Sequence, residues 1–332
     1  MKDILSKISK QKTWLITGGA GFIGSHIVSV LLEYNQKVVV FDNFEGDISF
    51  KVDQINNSNL KIYNGDICTF SLCQEAMRGV DLVLHHAALI SVSGSMLEPM
   101  AYHRVNVQGF WNVLESSRLA GVERVVYASS SAVYGDCLQK EMSDSYQPQP
   151  ISVYAGTKYI NELQANTYYK CYGLETIGLR YFNIYGSRQN PTGAYASVIP
   201  KWISRILDNQ PCIVYGDGRN TRDFCHVSDV VTANLLAATT SNSKIIGSAC
   251  NIGTGTYLSL NTLLRFLQDC ASQRILSPIQ VKYEPAREGD IIHSVANIER
   301  AKKLLGYHPK TDLRTGLSET LDWFIQRRGE AL

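Results

Sequence analysis

The chain has 332 residues, 45% of them hydrophobic and 19% charged, which is enough for two domains with ordinary globular cores. The 32 Lys and Arg residues nearly balance the 30 Asp and Glu residues, and no dense basic run favours binding to nucleic acid. The eight cysteines form no CxxC pair, as is typical of reduced thiols used as small apolar residues. Residues 1–12 lack the apolar core of a signal peptide, and no apolar run is long enough to span a membrane. We therefore expect a cytoplasmic protein.

Strands and helices alternate through the first half of the chain, separated by polar and glycine-containing turns. The apolar runs predict strands at 14–16, 37–41, 60–63, 80–88, 124–128 and 175–179. Helical spacing predicts helices from 27 onward and at 70–77, 99–120, 154–172, 197–209, 260–270 and 299–305, with a short strand at 212–215. Alternation of this kind favours a doubly wound parallel sheet that helices cover on both faces. Ligands of such sheets bind beyond the carboxyl ends of the strands.

The stretch TGGAGFIGS at 17–25 follows the first strand and opens the first helix. Its glycines satisfy two templates, Gly19-x-Gly21-x-x-Gly24 and Gly18-x-x-Gly21-x-x-Gly24. The early glycines allow a tight turn that brings the backbone close to a pyrophosphate, and the last lets the helix pack close to the sheet. The free N–H groups and the dipole of the helix N-terminus favour that anion. The context predicts a dinucleotide site in a Rossmann-type fold.

An acidic residue, Asp42, ends the second predicted strand, 18 positions after Gly24. A carboxylate at this place accepts hydrogen bonds from the adenosine ribose and repels a 2′-phosphate. The sequence therefore predicts that the cofactor is NAD rather than NADP.

Two adjacent histidines, His85 and His86, suggest a metal site at first sight. Neighbouring side chains of a strand point to opposite faces, so the two imidazoles cannot easily share one ion, and the sequence offers no third ligand. We predict ordinary packing and hydrogen bonding for both, and no metal site.

The chemistry is predicted to lie around Tyr154 and Lys158, which are four residues apart and share one face of a helix. A tyrosine has an ordinary pKa near 10 and is a poor base at neutral pH. The ammonium of Lys158 and a bound oxidised nicotinamide are expected to lower the pKa of Tyr154 by favouring the phenolate. Ser129, Ser130 and Ser131 follow the fifth strand, where a hydroxyl could share a substrate proton with the phenol.

Taken together, these motifs resemble the extended short-chain dehydrogenase/reductase family. The resemblance rests on TGGAGFIGS, Asp42, GDI at 65–67, HHAAL at 85–89, SSSAVYG at 129–135 and Tyr154-x-x-x-Lys158. Downstream, LRYFNIYGSRQNPTGAYASVIPKW at 179–202, GDGRNTRDFCHVSD at 216–229 and REGDIIHSVANIERAKKLLGY at 287–307 are similar to nucleotide-sugar 4-epimerases, most of all to bacterial UDP-N-acetylglucosamine 4-epimerases. The resemblance covers nearly the whole chain.

The resemblance implies a role for each matching residue. It implies that Tyr154 is the catalytic base, that Lys158 activates it and binds the nicotinamide ribose, and that Ser130 assists at the sugar hydroxyl. The implied NAD contacts are Tyr154, Lys158, Gly18, Gly21, Phe22, Ile23, Asp42, Asn43, Asp66, Ile67, Ala87, Ala88 and Leu89. The implied UDP-sugar contacts are Tyr154, Ser130, Asn183, Arg222 and Arg287, the last two on the diphosphate, together with Ser91, Ser131, Gln189, Ala194 and Val198.

The implied reaction is a reversible oxidation at C4 of the sugar. Tyr154 takes the proton of the 4-hydroxyl, the hydride passes to NAD, the 4-keto sugar turns over in the pocket, and the hydride returns to the other face. Related dehydratases carry an Asp-Glu pair in the serine segment, and related decarboxylases carry a glutamate at the position of Ala132. Because no acid lies between Ser129 and Tyr134, both activities are disfavoured. A non-catalytic NAD sensor would be expected to lose the Tyr/Lys pair, and a plain reductase would consume added cofactor.

The substrate is predicted from Ser294, which matches a site that is a bulky tyrosine in strict UDP-glucose/galactose epimerases. A small residue there leaves room for a 2-acetamido group, so we expect a preference for UDP-N-acetylglucosamine and UDP-N-acetylgalactosamine. UDP-glucose/UDP-galactose and UDP-uronic acids remain the alternatives.

The resemblance also implies interleaved domains and a homodimer. We expect an NAD-binding domain at 1–183, to which 221–253 returns, and a nucleotide-sugar domain at 184–220 and 254–332. The helices at 99–120 and 152–172 are expected to form the dimer interface.

Overall fold

The structure, a computed structural model, describes residues 11–46, 55–136, 141–192, 197–274, 278–286 and 293–329. Its strands are β1 (Thr13–Thr17), β2 (Lys37–Asp42), β3 (Leu60–Asn64), β4 (Leu82–His85), β5 (Arg124–Ser130), β6 (Glu175–Tyr181), β7 (Ile184–Tyr185), β8 (Cys212–Tyr215), β9 (Thr221–Arg222), β10 (Cys225–His226), β11 (Ser248–Ile252), β12 (Leu258–Ser259), β13 (Val281–Glu284) and β14 (His293–Ser294). Its α-helices are α1 (Phe22–Glu33), α2 (Phe70–Ala76), α3 (Val92–Leu97), α4 (Pro99–Tyr102), α5 (Phe110–Ala120), α6 (Val153–Tyr172), α7 (Val198–Leu207), α8 (Val227–Thr239), α9 (Leu260–Ser272), α10 (Glu299–Leu305) and α11 (Leu313–Gly329).

Seven of these strands form one sheet in the order β11-β6-β5-β4-β1-β2-β3, and all six neighbouring pairs are parallel. The chain runs outward from β1 to β3 and then crosses back to β4 on the other side of β1. The carboxyl ends of β1 and β4 therefore flank the point where the order reverses, which is where such sheets bind ligands. The predicted Rossmann-type doubly wound sheet is confirmed.

The central strands are apolar along their whole length because helices cover both faces. Trp14, Ile16 and Val40 pack on one face against side chains of α1 and α8. Leu15 and Val39 pack on the other face against side chains of α2, α5 and α6. The alternation of neighbouring residues between two cores is what fixes the register of the sheet.

The helix predicted at 99–120 is interrupted in the structure. Between α4 and α5 the chain forms a π-helix at His103–Gly109. Side chains of α6 meet carbonyls in this π-helical segment: the amide of Asn161 donates to Asn106 O at 2.7 Å, and that of Gln164 to Val107 O at 3.3 Å. The widened turn thus ties the segment to α6, a long-range contact that helical periodicity does not encode.

The strand predicted at 80–88 is shorter than expected, and a helix follows that the sequence did not predict. The strand β4 ends at His85, because the next two amides, of His86 and Ala87, turn to Thr17. Ser91 then begins α3, and its hydroxyl accepts a hydrogen bond from Gly94 N at 2.8 Å. Ser91 is thus the N-cap of α3. The helix has only six residues, so the spacing of its apolar residues does not indicate it.

A separate apolar core lies beyond β6. It is built from α7, α9 and α11, with Trp202, Leu263 and Leu321 buried at its centre. Small sheets β12-β9-β14 and β13-β8 adjoin these helices. The strand β11 and the helix α10, by contrast, pack with the large sheet. The division of the chain into domains stays a prediction. In the part of the chain that the structure describes, no helix has both the length and the apolar character needed to cross a membrane.

Candidate active site

The glycine-rich stretch forms a turn that closes on itself between β1 and α1. Gly18 lies in the left-handed region, with φ 66°, and its N–H donates to Phe41 O at 3.0 Å. A Cβ on Gly24 would stand 2.1 Å from Gly18 O, and one on Gly18 would stand 2.6 Å from Ala87 N. Gly21 is the N-cap of α1, and no acidic residue lies in the first turn of the helix. Backbone this close, at a helix N-terminus without a carboxylate, fits a pyrophosphate.

Asp42 stands beside this turn at the carboxyl end of β2. Its carboxylate accepts hydrogen bonds from Ala20 N and from Phe44 N, each at 2.9 Å. The sequence assigned this residue to the ribose of NAD, and that assignment stays a prediction. What the sequence did not predict is that the same carboxylate holds the glycine turn against β2.

The other residues assigned to NAD lie at the carboxyl ends of neighbouring strands. Phe22 and Ile23 form the first turn of α1, and Asn43, the pair Asp66–Ile67 and the segment 87–89 follow β2, β3 and β4, respectively. Ala87 N donates to the hydroxyl of Thr17 at 3.2 Å, which brings this segment against the glycine turn. The fold therefore gathers these positions along one edge of the sheet.

Tyr154 and Lys158 lie on α6, whose N-cap Ser152 accepts a hydrogen bond from Ala155 N at 3.1 Å. Both side chains are buried, and Lys158 is only 3% exposed. Its ammonium donates to Ala128 O of β5 at 3.0 Å. Burial lowers the pKa of Lys158 to about 8, because desolvation penalises the charged form.

The pKa of the Tyr154 phenol depends on burial as well as on charge. Burial raises the pKa of Tyr154 in the protein chain, while the hydroxyl of Ser130 acts in the opposite direction. The lowered pKa expected from the sequence depends on the ammonium of Lys158 and on a bound oxidised nicotinamide together, so it stays a prediction for the complex with NAD. The positive charge of an oxidised nicotinamide would oppose the effect of burial.

A network that the sequence did not reveal holds Tyr154 and its helix in place. Ser95 Oγ of α3 accepts a hydrogen bond from Tyr154 N at 2.9 Å. The side chain of Asn106, in the π-helix, donates to Thr157 Oγ1 at 3.1 Å and binds both backbone groups of Leu89 at 2.9 Å. Asn106 thus connects the segment 87–89 with α6. The only hint in the sequence is an asparagine between two valines.

The serine segment rests on a buried ion pair. Ser129 Oγ donates to Glu162 at 2.6 Å, and Glu162 receives two hydrogen bonds from Arg180, at 2.9 and 2.8 Å. The same guanidinium donates to the hydroxyl of Tyr134 at 2.7 Å. These contacts fix both ends of the turn that carries Ser130 and Ser131, whose hydroxyls the sequence assigned to catalysis and substrate.

The residues assigned to the UDP-sugar come from distant parts of the chain. Ser294 of β14 pairs directly with Arg222 of β9 in a parallel bridge. Asn183, in the left-handed region with φ 37°, donates from its side chain to Asp223 O at 3.1 Å. The adjacent residues Arg222 and Asp223 therefore connect Ser294 with Asn183.

Two further predicted positions already use their polar groups within the protein. The amide nitrogen of Gln189 donates to Ile184 O at 3.2 Å, while its Oε1 is buried and has no partner among the described residues. The hydroxyl of Ser91 is the cap of α3. Val198 begins α7. Ala194 and Arg287 lie outside the described residues. All these assignments to substrate stay predictions.

The two histidines behave differently from each other. His85 is buried, bonds to Thr17 Oγ1 through Nδ1 at 2.7 Å and stacks on Phe110, as predicted. His86 packs parallel to Tyr181, with ring centroids 6.2 Å apart. Among the described residues neither ring nitrogen of His86 has a partner at good hydrogen-bond geometry, although the side chain of Asn234 lies near enough to act on the pKa of His86, so its hydrogen bonding stays a prediction. Burial lowers the pKa of His86 to about 3, so the ring stays neutral and apolar in behaviour.

Comparison with known proteins bears on this arrangement. The model of the NAD dependent epimerase/dehydratase family matches residues 14–253. A putative UDP-glucose 4-epimerase of Methanocaldococcus jannaschii is 37% identical over 313 residues, which cover 93% of this chain and 97% of the relative. The chain belongs to the NAD-dependent epimerase/dehydratase family. This confirms the extended short-chain dehydrogenase/reductase resemblance, the assignment as an NAD-dependent enzyme, and NAD as cofactor.

Solved structures agree over nearly the whole chain. The UDP-N-acetylglucosamine 4-epimerase of Methanobrevibacter ruminantium, in complex with UDP-N-acetylmuramic acid, has a TM-score of 0.88 and 36% identity, covering 96% of this chain and 99% of that one. The UDP-glucose 4-epimerase of Thermotoga maritima, with UDP-glucose, has a TM-score of 0.86 and 34% identity, covering 95% and 99%. UDP-sugar 4-epimerases of two substrate types are therefore about equally similar to this chain.

Proposed function

We propose that this family member is a UDP-sugar 4-epimerase that interconverts UDP-N-acetylglucosamine and UDP-N-acetylgalactosamine. The observation that carries the choice of sugar is the bridge between Ser294 and Arg222. If Arg222 binds the diphosphate, the sugar ring attached to that diphosphate lies near Ser294. A hydroxymethyl side chain there leaves volume for a 2-acetamido group, which a tyrosine would fill.

The protein's part in the reaction follows from the buried pair on α6. Tyr154 accepts the proton of the sugar 4-hydroxyl, and Ser130 shares that proton and orients the reacting carbon. The ammonium of Lys158, fixed by Ala128 O, stabilises the phenolate. NAD, held by the glycine turn and by Asp42, would supply the acceptor for the hydride of C4 and its later donor. Both side chains are buried, which limits the access of bulk water to the reacting groups.

Inversion requires that the sugar turn over while its diphosphate stays bound. Arg222 suits this task because a guanidinium is planar, always charged and able to form paired hydrogen bonds with phosphate oxygens. Its bridges to β12 and β14 anchor its backbone on both sides. We therefore assign Arg222 as the pivot and Ser294 as the residue that sets how large a sugar can turn.

The alternative substrates are UDP-glucose/UDP-galactose and UDP-uronic acids, since the same bridge would admit a smaller sugar. Dehydration and decarboxylation are less favoured. No carboxylate occurs between Ser129 and Tyr134, and the acid that bonds Ser129, Glu162, is occupied by Arg180.

The test is incubation of the purified protein with UDP-N-acetylglucosamine, without added NAD, followed by NMR of the sugar. Formation of UDP-N-acetylgalactosamine supports the reaction, the substrate and a retained cofactor together. Inertness toward this sugar alongside rapid turnover of UDP-glucose would refute the substrate assignment. Ser294→Tyr is expected to abolish turnover of the acetylated sugar while keeping that of UDP-glucose, and Ser294→Ala is the matched control with a small side chain.

We also propose that the chain forms a homodimer through α5 and α6. Large apolar side chains remain exposed on these helices, among them Trp111, Leu119, Leu163 and Tyr172. Such a patch on adjacent helices is typical of a protein interface. Light scattering after size exclusion tests this, with Leu163→Glu expected to shift the dimer to monomer and a dimeric Leu163→Glu contradicting the assignment of the interface.

A further inference from the structure

A fully buried acid, Asp223, lies where three of the segments assigned to the UDP-sugar meet, those of Asn183, Arg222 and Ser294. Its side chain has no solvent exposure. Four hydrogen bonds converge on the carboxylate: Oδ1 accepts from Thr254 N and Thr254 Oγ1 at 2.8 and 2.6 Å, and Oδ2 accepts from Gly255 N and Ala296 N at 2.8 and 3.2 Å. A buried carboxylate is tolerated only with such compensation, because its desolvation is costly.

The backbone of Asp223 connects two further elements. Its N–H donates to Ser294 O at 2.9 Å, and its carbonyl accepts from the side chain of Asn183 at 3.1 Å. Asp223 therefore holds Ser294 and Ala296 of one segment from two sides, through its amide and its carboxylate. It also follows directly on Arg222.

The partners of the carboxylate explain how this junction is anchored. Thr254 and Gly255 lie just after β11, which is an edge strand of the large sheet. The carboxylate thus fastens the segment with Arg222 and Ser294 to the sheet that carries the catalytic helix. Gly253 has no room for a side chain here, since a Cβ would stand 2.6 Å from Asp223 Oδ2.

We infer that Asp223 is a positioning residue that sets the distance between the sugar pocket and the catalytic edge of the sheet. The inference rests on the proposed 4-epimerase reaction. That reaction needs C4 within hydride distance of the cofactor twice, before and after the sugar turns, and a displacement of about 1 Å costs roughly 100-fold in rate. A pocket that is loosely joined to the sheet lets the 4-keto sugar leave after the first transfer.

Escape of the sugar has a spectroscopic signature. The first half-reaction breaks the C4–H and O–H bonds; the hydride reduces NAD⁺ to NADH, the proton goes to Tyr154, and the sugar is oxidised to the 4-ketone. If the ketone leaves, the enzyme retains NADH, which absorbs in the near ultraviolet, where NAD⁺ does not. A change that only destabilised the fold would lower activity without changing the ratio of NADH formed to sugar inverted.

The test variant is Asp223→Asn, which keeps the size of the side chain but replaces one acceptor oxygen by an NH₂ group. At the Oδ2 position that group faces the N–H groups of Gly255 and Ala296, and two hydrogen bonds are lost. At the Oδ1 position it faces the N–H of Thr254 and a hydroxyl that can turn to accept, and one hydrogen bond is lost. The matched control is Asp229→Asn. Asp229 is also buried, and its carboxylate accepts from Lys310 N and Thr311 N at 2.8 and 3.2 Å, neither of which is assigned to the sugar. Thr254→Val removes one of the four hydrogen bonds and gives a milder variant.

For Asp223→Asn we expect at least a tenfold fall in kcat and conversion of the retained NAD⁺ to enzyme-bound NADH, up to one equivalent per active site, when UDP-sugar is added. Thr254→Val should show a smaller change of the same kind, and Asp229→Asn a lower Tm with an unchanged NADH ratio. If Asp223→Asn does not fold, Thr254→Val decides the matter. A folded Asp223→Asn protein with the kcat and the NADH ratio of the wild type would overturn the inference. So would an Asp229→Asn protein whose kcat and NADH ratio change as much as those of Asp223→Asn. A wild-type protein that epimerises a different UDP-sugar refutes the proposed substrate alone, and the same measurements then use that sugar.

Discussion

Lys158, which we propose stabilises the Tyr154 phenolate, should lower the stability of the folded protein. Burial lowers the pKa of Lys158 from 10.5 to about 8, and its single described protein partner is Ala128 O. A difference of about 2.5 units corresponds to ~3 kcal/mol of folding free energy, at about 1.4 kcal/mol per unit. Lys158→Met removes this cost and loses a hydrogen bond worth about 1 kcal/mol. We expect the variant to be about 2 kcal/mol more stable at pH 7 and essentially inactive.

The pH dependence gives the sharper assay. Because the folded-state pKa lies below the unfolded one, the unfolded chain binds more protons between about pH 8 and 10.5. The wild-type protein should therefore gain stability relative to Lys158→Met as the pH rises through this window, and the full penalty should apply below it. Urea unfolding of NAD-free protein at pH 7, 8, 9 and 10 measures both quantities. Lys37→Met, at an exposed lysine, is the control. A variant no more stable than wild type at pH 7, or a difference that does not narrow with pH, would refute the reasoning.

Three other changes follow from the site. Glu162→Gln leaves the buried guanidinium of Arg180 without its charge partner and should cost about 3 kcal/mol in urea unfolding. Gly24→Ala places a Cβ 2.1 Å from Gly18 O, so we expect a misfolded turn, loss of bound NAD and a lower Tm. Asp42→Asn weakens two backbone hydrogen bonds and the predicted ribose contact, and calorimetry should show NAD affinity lower by roughly ten- to a hundredfold.

Matched controls separate these effects from general damage. Glu175→Gln breaks the ion pair with Arg124, but this glutamate is partly exposed, so its cost should stay below about 1 kcal/mol. Gly156→Ala adds a Cβ in open space on α6 and should leave Tm unchanged or slightly raised. Equal losses in Glu162→Gln and Glu175→Gln, a stable NAD-bound Gly24→Ala, or an Asp42→Asn protein with wild-type NAD affinity would each contradict the corresponding argument.

Much of the fold could be read from local sequence. The strands near 14, 37, 60, 124 and 175 and the helix at 154–172 all lie within a few residues of their predicted positions. The strands were predictable because a strand buried on both faces needs an uninterrupted apolar run. The end of the helix was predictable because Gly173, which follows its last residue, readily takes the left-handed conformation of a C-cap. The π-helix at His103–Gly109 was not predictable from local sequence. Two of its carbonyls accept hydrogen bonds from side-chain amides of α6, which is remote along the chain.

The site divides in the same way. The sequence by itself determined which residue types are present for binding a dinucleotide and for proton transfer. Along the chain these are the glycine turn, Asp42 and the Tyr154/Lys158 pair. Only the tertiary structure decided how burial shifts those groups and which residues meet, because both depend on neighbours that are remote along the chain. In the protein chain burial raises the pKa of Tyr154. Ser294 pairs with Arg222, and Asp223 binds the carbonyl of Ser294. Spacing records which groups a helix or turn presents, whereas desolvation and long-range hydrogen bonds exist only once the chain has folded.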